Sequence, residues 1–147
     1  MTATESKSDA MKATLVTRWQ TAATKFIDLA AALPEEKFDT ELVDGARTCG
    51  AVLRHAAYWN RYVAAKLNGK KADDSGNELN PKECPEKSAA IIELTKNSLD
   101  IANGLERTLD AKSLELICMG LEHLSEHYGQ LAVYARLLGI TPPASRS

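Results

Sequence analysis

The stretch "AKSLELICMGLEHLSEHYGQLAVYARLLG", residues 111–139, decides the fold. Its apolar side chains fall at Ile117, Leu121, Leu124, Tyr128, Leu131, Ala135 and Leu138, always three or four residues apart. A helix turns once in about 3.6 residues, so this spacing lines them along one face. A half-buried strand would alternate instead, and nothing here alternates. Asp110 stands where an N-cap accepts the first free amides, and Gly139 where the helix has to stop. The spacing predicts a helix over 111–138, with "TPPASRS" (141–147) as a short tail.

Three more stripes lie upstream. Ile91, Leu94, Ser98, Ala102, Leu105 and Leu109 mark a helix over 85–107, opened by Pro85 and interrupted by Asn103–Gly104. Val52, Ala56, Trp59, Val63 and Leu67 mark one over 48–67, with Thr48 as N-cap and Asn68–Gly69 as its stop. Met11, Leu15, Trp19, Ala22, Phe26, Leu29 and Leu33 mark one over 8–33, which Pro34 ends by forcing the preceding residue out of helical geometry. Between these lie "PEEKFDTELVDGAR" (34–47) and "GKKADDSGNELNPKECP" (69–85), polar and without apolar periodicity. Four amphipathic helices and no strand make an all-α four-helix bundle, with long connections after the first and second helices. The expected organisation is one domain over 8–140, preceded by a disordered polar stretch over 1–7.

Composition narrows the function. A net charge of −2 carries no basic excess for nucleic acid, and no run approaches the ~20 apolar residues of a membrane helix. The polar N-terminus lacks the apolar segment of a secretory signal. Cys49, Cys84 and Cys118 are odd in number, far apart and without a CxxC pair, which argues against a disulfide framework. A cytoplasmic protein is expected.

The chain has three histidines, and all fall on inward faces. His55 lies beside Val52 and Trp59. His123 and His127 sit one turn apart, on a line with Leu116, Gly120, Gln130, Tyr134 and Leu137. Two readings stay open: hydrogen-bonded core histidines, or three imidazoles converging on one divalent cation with a position left for water or substrate. The motif is not HExxH, because Glu122 and Glu126 precede the histidines and point about 100° away from them, onto a solvated face. Gly120, one turn before His123, leaves room for a ligand or for a helix contact. The hydroxyls of Tyr58 and Tyr134 are within reach of such a site. Cys84, at a loop–helix junction, is either a reactive thiol or a passive one.

The tryptophan of the first helix, "ALPEEKF", "TCGAVLRHAAYWNRYVAAKLNGK" and, above all, "EHLSEHYGQLAVYARLLGITPP" resemble the DinB/YfiT-like superfamily of DNA-damage-inducible bacterial four-helix proteins. The resemblance spans nearly the whole chain. It implies that His55, His123 and His127 are the ligands of a divalent metal (zinc, nickel, iron or manganese). It also implies a homodimer, and either of two roles. In one, the metal activates a low-molecular-weight thiol or water for transfer to a small electrophilic substrate, as a transferase or hydrolase. In the other, the protein is a non-catalytic stress-response module whose metal is structural or vestigial. Beyond the three ligands no catalytic residue is identified, and neither nucleic acid nor membrane is an expected partner.

Overall fold

A computed structural model describes residues 3–147. Four helices carry the fold: α1 (Ala3–Ala32), α2 (Cys49–Leu67), α3 (Lys87–Arg107) and α4 (Ala111–Leu137). Short 3₁₀ turns at Glu35–Lys37 and Pro143–Ser145 complete the regular structure, and no strand occurs among the described residues. The chain is the all-α four-helix bundle that its periodicity predicts.

The helix ends follow from the capping chemistry. Thr48 Oγ1 accepts the amide of Ala51 at 3.0 Å and so opens α2. Asp110 and Ser113 form a reciprocal capping box at the start of α4, with the Ser113 amide donating to Asp110 at 2.8 Å. Two ends differ from expectation. α1 begins at Ala3 rather than at Ser8, so the stretch expected to be disordered is helical from Ala3, while residues 1 and 2 lie outside the described residues. α3 begins at Lys87, because Glu86 has the extended backbone of an N-cap and leaves Pro85 in the preceding loop.

Around the bundle each helix has two neighbours, in the order α1, α3, α2, α4. Trp19, Phe26, Leu29, Leu53, Leu94, Ile101, Leu105, Ile117, Leu124 and Leu131 are fully buried between them. Burial of a large apolar side chain contributes about 1.5–3 kcal/mol, so these stripes hold the fold. Trp19 also donates its indole N–H to the carbonyl of Ser98 at 3.1 Å, tying α1 to α3. The glycine that interrupts the third stripe has a packing reason. A Cβ on Gly104 would stand 2.8 Å from Leu67 Cβ, so α3 approaches the end of α2 only because the side chain is missing.

The long connection from 68 to 86 is an ordered cover over α2. Leu79 and Cys84 bury themselves against the bundle. Arg54, only 5% exposed on α2, reaches Asp39 at 2.6 Å, Glu78 at 3.3 Å and the carbonyl of Cys84 at 3.3 Å. One buried guanidinium thus pins both long connections to the same helix. Tyr58 adds a second anchor: its hydroxyl donates to the carbonyl of Asp73 at 3.0 Å and accepts the amide of Gly76 at 2.8 Å. Asn77 is held between these anchors, over His55.

Candidate metal centre

α2 and α4 are neighbours, and their inward faces bring the three histidines together. The candidate ligand atoms of His55, His123 and His127 all lie within 4.8 Å of one another, and the ring centroids are 4.5–4.8 Å apart. His55 is buried, and His123 and His127 are half-buried. The cluster therefore sits at the edge of the core with access to solvent.

The hydrogen bonds fix which nitrogen each ring can offer. His55 Nδ1 lies 2.6 Å from the carbonyl oxygen of Asn77. A carbonyl only accepts, so Nδ1 carries the proton and Nε2 keeps its lone pair. His127 is fixed from further away. Tyr134 donates its hydroxyl proton to the carbonyl of Arg47 at 2.7 Å, so its oxygen must accept from the Gln130 amide nitrogen at 3.1 Å. That orients Gln130 Oε1 toward His127 Nδ1, at 2.9 Å, and requires Nδ1–H there as well. A backbone carbonyl on one connection thereby sets the tautomer of a histidine on α4 and frees its Nε2.

His123 Nε2 lies 2.9 Å from His55 Nε2. Because His55 Nε2 can only accept, His123 donates to it, and binding a cation requires that proton to move to Nδ1 or leave. Nitrogens on a tetrahedral zinc ion at 2.0–2.1 Å would stand roughly 3.3 Å apart, so small side-chain rotations are enough to seat one. Burial, followed by the neighbouring His127 and His55 and then Arg47, lowers the His123 pKa to about 4. Burial also lowers that of His55, partly opposed by the Asn77 carbonyl. Both rings are neutral at pH 7, the form in which imidazole binds metal.

The donor set fits a divalent ion of the zinc, nickel or iron kind. Three imidazole nitrogens converge, two of them oriented through their second nitrogen, as metal-bound histidines usually are. The same three residues are the ligands expected from the sequence. Tyr134 reaches the site only through Gln130, and Tyr58 serves the covering loop instead of the cluster. Glu122 and Glu126 are exposed, as expected. Cys84 is buried with its pKa raised by burial, so of its two readings it is the passive thiol. Asn77 and Arg47 were invisible in the sequence because both contribute backbone carbonyls, which leave no residue-type signature. Gln130, three residues after His127, carried a signal in its helical spacing.

No described helix is long and apolar enough to cross a membrane. No curated protein matches the chain. The family model of the DinB superfamily, however, matches residues 18–131, a span that reaches all four helices and includes His55, His123, His127 and Gln130. With its fold, its helix order and its inward histidines already in place, the chain belongs to the DinB superfamily.

Proposed function

We propose that this protein binds one divalent cation through His55, His123 and His127 and uses it to activate a low-molecular-weight thiol or water toward a small electrophilic substrate. The observation that carries this reading is the convergence of three imidazoles, two of which, His55 and His127, have their tautomers imposed by Asn77 and by the Gln130–Tyr134–Arg47 chain. When bound, a divalent ion supplies a Lewis acid that lowers the pKa of a thiol or water in its open position. The protein's own groups hold the three nitrogens in a half-buried, low-dielectric cluster and keep His55 and His123 uncharged. Three ligands with solvent access support a catalytic role over a structural one, since structural zinc sites are closed by four protein ligands. The reading places the protein in the cytoplasm, where small thiols are reduced, and as a homodimer. Val133 and Leu137, exposed four residues apart on α4, support a second copy packing there.

His123→Ala tests the proposal. Purified without a nickel column, the wild type should carry close to one equivalent of metal, and the variant should lose most of it with its helical circular dichroism intact. The metal-loaded wild type should also transfer a small thiol to an electrophile such as an epoxide or an activated haloarene. Stoichiometric metal in the variant would sink the site. A loaded wild type with no thiol-transferase or hydrolase activity would leave the binding and remove the catalysis.

A further inference from the structure

Beside His123, α2 and α4 part to leave a cavity of about 190 Å³, lined by Trp59, Asn60, Val63, Met119, Gly120 and His123. No Asp, Glu, Lys or Arg lines it. A cavity of roughly 150 Å³ accepts a benzene ring, so a ring with one substituent fits this one.

Two of its residues are poor choices for an empty bundle. Gly120 lies in the interior of α4, where glycine weakens a helix relative to alanine. Packing does not require it: an added Cβ would meet Trp19 and Val63 at 3.6–3.8 Å, ordinary contact distances. Asn60 is 2% exposed, and among the described residues its side chain makes no hydrogen bond. Among the described residues every side-chain polar atom fully sealed in the interior has a partner, so the Asn60 amide keeps a narrow accessible edge, and the cavity is the space it lines. An amide left free at such a site waits for an occupant that can bond to it. Met119 stands 43% exposed at the rim, a flexible side chain able to close over a guest.

We propose that this cavity binds the substrate of the three-histidine centre: an uncharged small molecule with a ring-sized apolar portion and one carbonyl or amide that pairs with Asn60. The inference rests on the metal-dependent reading for its chemistry, but not for the binding itself. The cavity touches the cluster through His123, so an occupant lies beside the metal position. Trp59 forms one wall; its indole N–H donates to Asn77 Oδ1 at 2.9 Å, so the loop residue that orients His55 also fixes this wall.

Benzamide is the probe, titrated into the full-length protein with and without zinc and followed by the Trp59 indole resonance. Saturable binding is expected in both forms, with benzoate at least about tenfold weaker because the site offers its charge no partner. Gly120→Ala should bind benzamide about tenfold more weakly, the usual effect of one methylene in an apolar pocket. Gly129→Ala, whose Cβ would meet nothing within 4 Å, should bind it as the wild type does. Both should raise Tm by about 2–4 °C, which shows that the loss at Gly120 is not unfolding. Asn60→Leu should weaken benzamide by a similar factor and leave toluene binding unchanged or improved. The proposal is overturned if benzamide fails to bind, or if Gly120→Ala and Asn60→Leu bind it like the wild type. Zinc bound by the histidines without benzamide binding removes the pocket alone. Benzamide bound by a protein that holds no zinc removes the metal reading and leaves the pocket.

Discussion

Gln130 matters through what it does to His127. Its amide is oriented by Tyr134, which is oriented in turn by the carbonyl of Arg47, so the chain has only one consistent set of donors. Gln130→Ala should leave all three ligands in place yet weaken zinc binding by about 10–100-fold, as loss of a group that orients a metal ligand commonly does. A competition titration against a fluorescent chelator measures this, and unchanged affinity would mean that the chain does not orient His127. The histidines also set a pH dependence of stability. In the metal-free protein His123 has its pKa lowered from 6.5 to about 4, and that of His55 is lowered too. The unfolded chain therefore takes up protons first, so the folded state's advantage, full above pH 6.5, is lost as pH falls through about 4. For His123 the fall from 6.5 to about 4 corresponds to at most roughly 3 kcal/mol. Urea unfolding in a chelator between pH 8 and 4 should show this loss, and His123→Leu should reduce it. An ordinary histidine pKa would put proton competition for the metal near pH 6. The burial of His55 and His123 moves it lower, so the loaded protein should keep its ion to more acid pH than free imidazole would.

At the scale of the element, α2 is the organising helix. It carries His55 on its inward face, Arg54 and Tyr58 toward the connections, and Trp59 and Asn60 at the cavity. Its last turn packs so closely on α3 that Gly104 has no room for a side chain. Gly104→Ala would improve helix propensity anywhere on a free surface, but here the added carbon meets Leu67 Cβ at 2.8 Å, and neither a backbone-fixed Cβ nor its helix moves cheaply. The expected outcome is a net destabilisation of about 1–3 kcal/mol, typical of overpacking, in contrast to the stabilisation expected for Gly120→Ala. Chemical denaturation of the two variants side by side separates the effects; a stabilised Gly104→Ala would show that the helices part without cost.

For the molecule as a whole, a homodimer should sediment near twice the 16.0 kDa chain mass at micromolar concentration, and Val133→Glu with Leu137→Glu should return it to the monomer. A wild type that sediments as the monomer ends that proposal. The sequence by itself determined the helices and the faces they bury, because each of those properties repeats locally. Stripes with a 3.6-residue period, Thr48 and Asp110 as caps, and proline or glycine stops act within a turn or two of where they stand. The same locality set His123 and His127 side by side and turned His55 inward, so the three histidines were legible as an inward group before any packing was known, and the family resemblance is what marked them as candidate ligands. Only the tertiary structure decided what surrounds those histidines. Asn77 reaches His55 from 22 residues away and Arg47 reaches Tyr134 across 87, each through a backbone carbonyl that every residue type possesses. The need for Gly104 and the cavity beside Gly120 likewise depend on what stands opposite. A local pattern fixes which face a side chain occupies; the groups that meet it there come from distant parts of the chain, and only the packed bundle brings them into contact.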